Sequence, residues 1–341
     1  MYKIAIVGAS SLLGKELKDA LAESSLAAAD SALLDEDEGL GQLDQLGDEI
    51  TFVRPLDADA FDRVDFTFFC GSEVLTRKHW RRALRAGSTV LDLSGALDQE
   101  TGVLVRSPWI AAEEATADLF TPAIVPAHPA ALALAILMER LQQAAPVHQA
   151  AATVLLPASE FGRAAMDELH QQTVNLLSFQ ALPRAVFDAQ VAYNLLCGLG
   201  ENATANLGAT ELRIRRQYGA LAGRRLPAVT LQTLCAPVFH GNTFSIVADL
   251  ERPVEISVLE DALSGDHVDL VLEDTDSPSN LAATRQNDLL VRLRPEPTTR
   301  NANEASRLWI WAASDNLRLY AQNAVECAID LRRLRPQGTV Q

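Results

Sequence analysis

A glycine-rich turn near the start of the chain has residue types and a spacing that could bind a phosphate. It follows the apolar residues 4–7, which predict a buried strand, and it opens a segment with helical apolar spacing. The turn consists of Gly8, Ala9, Ser10, Ser11, Leu12, Leu13 and Gly14. In this context backbone N–H groups and a helix N-terminus can receive a pyrophosphate, although the Cβ of Ser11 obstructs the approach that a glycine permits. The turn therefore predicts either a dinucleotide site or a structural connection kept for packing.

Thiol and imidazole groups are the next candidates for chemistry. The four cysteines are widely spaced, without the C-x-x-C pairs of a zinc or redox site, so we predict no metal site and a reducing compartment. They are Cys70, Cys197, Cys235 and Cys327. If Cys235 met His240 or His128, a thiol–imidazole pair could act as a nucleophile. We favour the alternative, in which Cys235 is a small core residue of a strand and the two histidines lie in a turn and at a helix start.

The composition indicates a globular protein with a large core. The chain has 341 residues, of which 48% are hydrophobic and 22% are charged, enough for two domains. A net charge of -16 repels polyanions, so nucleic acid and anionic membrane surfaces are poor partners. The N-terminus lacks the pattern of a signal peptide, and no apolar run is long enough to span a bilayer. We therefore predict a cytoplasmic location.

Two hydrophobic patterns along the chain predict two kinds of domain. Short apolar runs alternate with helical spacing in residues 1–130, which is typical of a Rossmann-type α/β fold. The runs that predict strands there are Lys3–Val7, Phe66–Phe69, 89–93 and 123–125. Beyond residue 150 a predicted helix at 168–177 is followed by longer segments, which indicate an α+β domain with a largely antiparallel sheet. These segments are 229–238, 243–250, 289–294 and 307–311.

The domain boundaries follow from these two patterns and from a long helical pattern near the C-terminus. We predict a dinucleotide-binding-type domain at 1–130, joined by the C-terminal helix at 316–336, and a dimerisation or substrate-type domain at 131–315. Trp309 and Trp311 lie on one face of a predicted strand. That placement suits a core or a dimer interface better than a platform for stacking bases.

Seven segments, in order and over nearly the full length, carry a resemblance to a known family. They are GASSLLGKEL (8–17), STVLDLSGAL (88–97), IVPAHPAALALAILMERL (124–141), LLPASEFGRAAMDEL (155–169), VFDAQVAYNLL (186–196), TLCAPVFHGNTFSI (233–246) and SDNLRLYAQNAVE (314–326). The chain is similar to the aspartate-semialdehyde dehydrogenase family, and most similar to its Usg-type homologues. The resemblance implies the family fold and a homodimer formed by the C-terminal domain.

The resemblance also implies two catalytic positions, and neither residue suits the family reaction. Active members have a nucleophilic cysteine in an Asn-Pro-Asn-Cys pattern at a helix start, which here ends in Ala131. A helix N-terminus stabilises a thiolate, but an alanine methyl offers no covalent route. The histidine that acts as acid and base is replaced by Asn242, which does not titrate near neutrality. We therefore assign no catalytic residue.

Positions that recognise the substrate in the family are altered as well. Cys235 stands where an arginine would bind the substrate carboxylate, and Asp98 stands where an arginine would bind the acyl phosphate. The Glu-Glu-X-Lys pattern begins with Thr210 and ends with the cation Arg213. The Ser-Gly-Ala-Gly turn that faces the nicotinamide in the family corresponds to Ser159-Glu160-Phe161-Gly162. Two large side chains there replace a glycine and a small residue, which predicts a narrower cleft.

Cofactor contacts in the family would fall on the glycine-rich turn, on Ser94 and near the acidic residues 35–38. Carboxylates there oppose a 2′-phosphate and at best accept from a ribose hydroxyl. We therefore predict no cofactor or weak NAD binding, with NADP disfavoured. Apart from that resemblance, the acidic residues are those of a solvated loop, an interpretation that we favour over a binding role.

Three functional hypotheses follow. The first is a non-catalytic homologue that acts as a binding or assembly protein, with an unknown protein partner possible. The second is an NAD(P)-dependent oxidoreductase with altered substrate or chemistry. The third is a true aspartate-semialdehyde dehydrogenase that uses other residues.

Overall fold

The chain folds into two compact units. The computed structural model describes residues 2–36, 41, 43–46, 49–111, 121, 123–272, 277–299 and 301–334. Unit 1 comprises 1–128 and 320–341, and unit 2 comprises 129–319. No helix in the described ranges is long and apolar enough to cross a membrane.

The described part of unit 1 contains a seven-stranded sheet in which all neighbouring strands are parallel. In sheet order the strands are β5 (Arg54–Pro55), β2 (Asp30–Asp35), β1 (Lys3–Val7), β6 (Phe66–Phe69), β7 (Thr89–Asp92), β9 (Ala123–Pro126) and β8 (Val103–Arg106). A separate antiparallel pair consists of β3 (Leu43–Leu46) and β4 (Glu49–Phe52).

Helices cover both faces of this sheet because both faces are apolar. Ile4 and Ile6 point to a core cluster that includes residues of α1 (Leu12–Ala22) and α8 (Asn316–Leu334). Ala5 and Val7 point to the opposite cluster, which includes residues of α2 (Glu73–Arg85). The strands of a parallel sheet that is buried on both faces are continuous apolar runs in the sequence, as they are here. The predicted Rossmann-type domain is confirmed.

The strand order reverses between β1 and β6, and this point places the glycine-rich turn. In an open α/β sheet, ligands bind beyond the carboxyl ends of the strands where the order reverses. The residues that follow β1 and β6 are those of the glycine-rich turn and of the segment Cys70 to Ser72. The fold therefore brings both segments to the same end of the sheet.

Unit 2 is built on a six-stranded mixed sheet. In sheet order its strands are β11 (Val229–Cys235), β10 (Val147–Leu156), β12 (Asn242–Glu255), β15 (Glu304–Ser314), β14 (Leu289–Pro297) and β13 (Val268–Leu270). The two outer pairs are parallel and the three inner pairs are antiparallel. The predicted segments at 243–250, 289–294 and 307–311 are shorter than the strands observed, and 229–238 runs past the end of its strand.

Five helices accompany this sheet in the described residues. They are α3 (Pro129–Ala144), α4 (Arg163–Leu177), α5 (Leu207–Ala222), α6 (Ile256–Leu263) and α7 (Asn280–Ala283). Helix α3 packs against α5, α6 and β10, and each of its first ten residues is buried. Phe244, Ile246 and Ile310 are buried on one face of the sheet. The core of unit 2 therefore lies between that face and the helices.

The opposite face of the same sheet is open. Trp309 is 45% exposed and Trp311 is 37% exposed, on the side of β15 away from Ile310. Arg307 on this face makes two hydrogen bonds to the carboxylate of neighbouring Asp249. The prediction that the two tryptophans share one face of a strand is confirmed. Of the two expected placements, the core does not fit because both rings are partly exposed, and the dimer interface stays a prediction.

Side chains of α5 cover the free edge of β11. Glu211 Oε2 accepts a hydrogen bond from Thr233 N at 2.8 Å, and Arg215 Nη2 donates one to Leu231 O at 2.9 Å. An uncovered strand edge would offer these backbone groups to another chain. Glu211, whose type fits the family's substrate pattern, is therefore engaged in holding the fold.

Two buried side chains of α4 tie down the long segment 178–206. The Glu168 carboxylate accepts hydrogen bonds from Val186 N and Phe187 N. Gln172 Nε2 donates to two backbone carbonyls, and its Oε1 accepts from Val191 N. Buried side-chain hydrogen bonds of this kind replace the backbone ladder that the segment lacks.

Candidate functional site

The glycines of the turn at residues 8–14 are required by backbone packing. Gly8 has φ +81°, and a Cβ built on it would lie 2.4 Å from Gly71 N. A Cβ on Gly14 would lie 2.5 Å from Gly8 O. Real Cβ atoms do not come so close to backbone, so only glycine fits at both positions. The turn therefore has a structural reason for its glycines whether or not a nucleotide binds.

Ser11 is the N-cap of α1, a role that its residue type signals but that the sequence interpretation missed. Its Oγ accepts a hydrogen bond from Gly14 N at 2.9 Å and donates one to Cys70 O at 2.9 Å. A serine at this position satisfies one of the N–H groups that a helix start leaves free. The hydroxyl joins the turn after β1 to the segment after β6.

The acidic residues at the end of β2 interact with other parts of unit 1. Asp35 Oδ2 accepts a hydrogen bond from Ser10 N at 3.1 Å. Glu36 Oε1 lies 2.6 Å from Lys78 Nζ and 2.9 Å from His79 Nε2, and these hydrogen bonds, led by that of Lys78, lower the pKa of Glu36. The interpretation as a solvated loop is wrong for Asp35, which is the last residue of β2. Glu36 follows the strand and is partly exposed; 37–38 lie outside the described residues.

Ser94 belongs to a turn organised by a buried carboxylate. Asp92 Oδ1 accepts from Ser94 N at 2.9 Å, and Asp92 Oδ2 accepts from Leu97 N at 2.8 Å. Ser94 Oγ lies 2.6 Å from Asp92 Oδ1 and 2.9 Å from Thr76 Oγ1. The hydroxyl is thus engaged within the turn, and a cofactor contact by Ser94 remains a prediction.

The position that the resemblance predicts for the nucleophile is fully buried. Ala131 is 0% exposed in the first turn of α3, and its neighbours Ala130 and Leu132 are also 0% exposed. The methyl group fills space in the core and carries no reactive atom. Position 131 is therefore a packing position in this chain.

Cys235 is a core residue, which confirms the favoured interpretation. It is 0% exposed, its backbone pairs with Leu196, and burial raises the pKa of its thiol to about 12. A nucleophilic cysteine needs the opposite shift. His240 is half-buried in the turn before β12, where its carbonyl oxygen accepts from Asn280 Nδ2. In unit 1, the His128 ring packs 6.2 Å from the ring of Tyr320.

Neutral polar side chains gather at one end of the sheet in unit 2. Asn316 Oδ1 accepts from Ser159 Oγ at 3.2 Å and from Gly241 N at 3.1 Å. Asn242, which the resemblance predicts at the position of the family base, is 0% exposed, and Ser314 is 1% exposed. These amides and hydroxyls bind by hydrogen bonds but do not exchange protons near neutrality. Among the described residues, no group of three or more His, Cys, Asp or Glu could hold a metal ion.

Comparison with known proteins identifies the family. A model described as semialdehyde dehydrogenase, NAD binding domain, matches residues 3–127, and one described as semialdehyde dehydrogenase, dimerisation domain, matches 138–319. The chain belongs to the semialdehyde dehydrogenase family.

Individual relatives cover most of the chain. The chain is 31% identical over 262 residues to a USG-1 protein homolog of Pseudomonas aeruginosa, covering 75% of this chain and 76% of that protein. It is 28% identical over 335 residues to a USG-1 protein homolog of Azotobacter vinelandii, covering 95% and 96%. A solved structure described as a probable aspartate-semialdehyde dehydrogenase from Pseudomonas aeruginosa matches with a TM-score of 0.86 at 28% identity, covering 97% and 98%. The suspected resemblance is confirmed at the level of family and fold.

Substitution of Gly8 tests whether the glycine-rich turn depends on close backbone packing. Gly87 also has a positive φ of +88°, but nothing lies within 4 Å of a Cβ built on it, so Gly87→Ala reports backbone strain alone. We expect Gly87→Ala to lower the free energy of unfolding by about 1–2 kcal/mol. Gly8→Ala should lower the free energy of unfolding by roughly 1–3 kcal/mol more than Gly87→Ala does, because its methyl group overlaps Gly71.

Thermal and denaturant unfolding of both variants measure the difference. Equal losses for Gly8→Ala and Gly87→Ala would contradict the assignment of Gly8 to packing.

Proposed function

We propose that this member of the semialdehyde dehydrogenase family does not catalyse the family reaction and acts as a binding or assembly protein. The observation that carries the proposal is Ala131, which is fully buried in the first turn of α3 at the position of the family nucleophile. Acyl transfer through an enzyme-bound thioester needs a thiolate at that place. A methyl group there leaves no covalent route.

The cysteines of the chain do not offer a replacement nucleophile in the core. Burial raises the pKa of the Cys70, Cys235 and Cys327 thiols, so all three stay protonated at neutral pH. Cys197 is exposed on the segment 178–206, which is held to α4. All four thiols are free, which fits the cytoplasmic location that we propose.

Loss of proton transfer and of substrate charge recognition supports the same proposal. Asn242 cannot exchange a proton near neutral pH, and Cys235 cannot make the bidentate contact that a guanidinium makes with a carboxylate. Asp98 would repel a phosphate at its position. Three different steps of the family reaction are therefore impaired together.

An NAD(P)-dependent oxidoreductase with altered chemistry is the second candidate. The turn at residues 8–14 favours it, because the turn lies where the strand order reverses and opens α1, whose first N–H groups lack partners within the helix. The fit to a dinucleotide is partial: Ser10 N already donates to Asp35, and Ser11 fills the place of a glycine. The carboxylates of Asp35 and Glu36 oppose a 2′-phosphate.

We further propose a homodimer formed through the open sheet face of the domain predicted at 131–315. Trp309 and Trp311 stand on this face, and Arg294 and Glu296 line a shallow depression beside Trp309. Partly exposed tryptophans beside arginines are typical of the energetic centre of an interface. A second copy related by a two-fold axis would cover the same face in both chains.

The first prediction concerns catalysis. Purified protein should not reduce NAD or NADP with aspartate semialdehyde and phosphate above a blank. Ala131→Cys alone should also be inactive, because catalytic groups act as a unit and Asn242 still supplies no base. Reduction above the blank that follows the purified protein would contradict the proposal, whether or not it persists after replacement of all four cysteines.

The second prediction concerns the dimer. We expect a homodimer at micromolar concentration that buries more than about 1,000 Å² in total. Trp311→Asp should raise the dissociation constant by about 30-fold or more, the loss expected of a hot-spot residue. Val74→Asp is the control, because Val74 is 76% exposed on α2 in unit 1. Light scattering and sedimentation measure the oligomeric state and the dissociation constant of the parent protein and of both variants. A monomeric parent protein would refute the interface.

The third prediction concerns the cofactor. Calorimetric titration should give millimolar or undetectable affinity for NAD and a lower affinity for NADP. Asp35→Asn should raise the affinity for NADP relative to NAD by about tenfold, because it removes a negative charge beside the turn. Tight NADP binding by the parent protein would show that the acidic residues are misassigned and would favour an active enzyme.

A further inference from the structure

Asn242 and Ser314 face each other at one end of the sheet in unit 2. Asn242 is the first residue of β12, Ser314 is the last residue of β15, and the two are direct partners in the antiparallel register. Residues two apart on a strand share a face, so both side chains stand on the face of the buried Phe244 and Ala312. Asn242 is 0% exposed and Ser314 is 1% exposed. Two polar side chains therefore meet at the end of an apolar core.

Neither side chain has a hydrogen-bond partner among the residues that the structure describes. The atoms concerned are Asn242 Oδ1, Asn242 Nδ2 and Ser314 Oγ. They are three of the eight buried side-chain nitrogen and oxygen atoms in the described ranges that lack a partner. Because native proteins pair nearly all such atoms, three of them on one register pair indicate a bound group.

Neighbouring polar groups are engaged elsewhere. Asn316 Oδ1 accepts from Ser159 Oγ and Gly241 N. Asp315 Oδ1 accepts from Leu317 N at the start of α8, and Asp315 Oδ2 accepts from Arg285 N. The Asp315 carboxylate therefore serves the helix start and the segment before β14. The Asn242 and Ser314 side chains are left as the unsatisfied pair.

The usual spacing of directly opposed residues leaves room for one bridging atom. Directly opposed residues of antiparallel strands have Cβ atoms about 4.5–5.5 Å apart. The polar atoms of this pair nonetheless make no hydrogen bond to each other. A single oxygen between them would reach both within ordinary hydrogen-bond distance.

The chemistry of the pair selects a neutral hydroxyl oxygen. The Asn242 amide offers one acceptor and a donor group, and the Ser314 hydroxyl offers both functions. A group bound by them must donate to Asn242 Oδ1 and accept from Asn242 Nδ2 or Ser314 Oγ. A carboxylate cannot donate, and burial among neutral side chains would leave its charge uncompensated. An ammonium group cannot accept.

We propose that Asn242 and Ser314 form a binding site for one hydroxyl oxygen, either of a water molecule or of a polar ligand that replaces the water. The site lies within unit 2 and does not depend on the proposed function. It places a neutral hydrogen-bonding site at the position where the family reaction needs proton exchange. Buried waters in proteins occupy such sites with two to four polar partners.

Crystallography of the unmodified protein tests the site directly. In crystals grown without alcohols, we expect an ordered water at about 2.7–3.2 Å from both side chains. A soak in ethylene glycol separates the two sources: a ligand hydroxyl in place of the water shows an accessible subsite, and an unchanged water shows a closed one. Direct contact of the two side chains, with no oxygen between them, would overturn the proposal.

Stability measurements provide an independent test. Ser314→Ala and Asn242→Leu should each lower the Tm by about 2–4 °C, because each removes a partner from a satisfied oxygen. The Tm of the double variant should fall by less than the sum of the two single decreases, since both substitutions act through the same bound oxygen. An increase in Tm in either single variant, or strictly additive losses, would show that the pair binds nothing.

Discussion

Burial of α3 is the constraint on which unit 2 depends. The helix packs against α5, α6 and β10, and its first ten residues are all buried, so no side of its first turns faces water. Interiors packed to this degree admit side chains only of suitable volume, and they penalise charge strongly. Ala131 meets both conditions. At the position where the resemblance places the nucleophile, the residue of this chain therefore contributes packing.

A similar pattern holds at other positions to which the resemblance assigns the family reaction. Cys235 is buried in β11, and its raised pKa makes it a small apolar residue in practice. Asn242 is neutral and fully buried at the start of β12. Changes of this kind remove charge and reactivity while preserving the core, whereas decay without selection would spread defects that each cost about 1 kcal/mol through a marginally stable fold. That distribution is the reason for proposing a retained fold with a different use.

The sequence predicted those features that depend on local pattern. The short runs at Lys3–Val7 and Phe66–Phe69 are strands with the bounds expected, because both faces of a parallel sheet demand continuous apolar residues. Strand β10 was missed, since its three consecutive alanines favour a helix and only pairing with β11 and β12 makes it extended. The contact of Ser10 with Asp35 depends on the pairing of β1 with β2. The opposition of Asn242 and Ser314 depends on a register between residues far apart in sequence.

A residue carries little information about function when packing alone explains its identity. Gly8 and Gly14 suit a phosphate-binding turn, but the approach of Gly71 N and Gly8 O requires glycine at both positions in any case. They therefore fit a pseudoenzyme and an oxidoreductase equally well. Asn242 and Ser314 differ in this respect, because without a bound partner their amide and hydroxyl would suit a buried strand end less well than apolar residues of similar volume. Polar groups that packing does not require are therefore the reason for proposing that this strand end binds a hydroxyl oxygen.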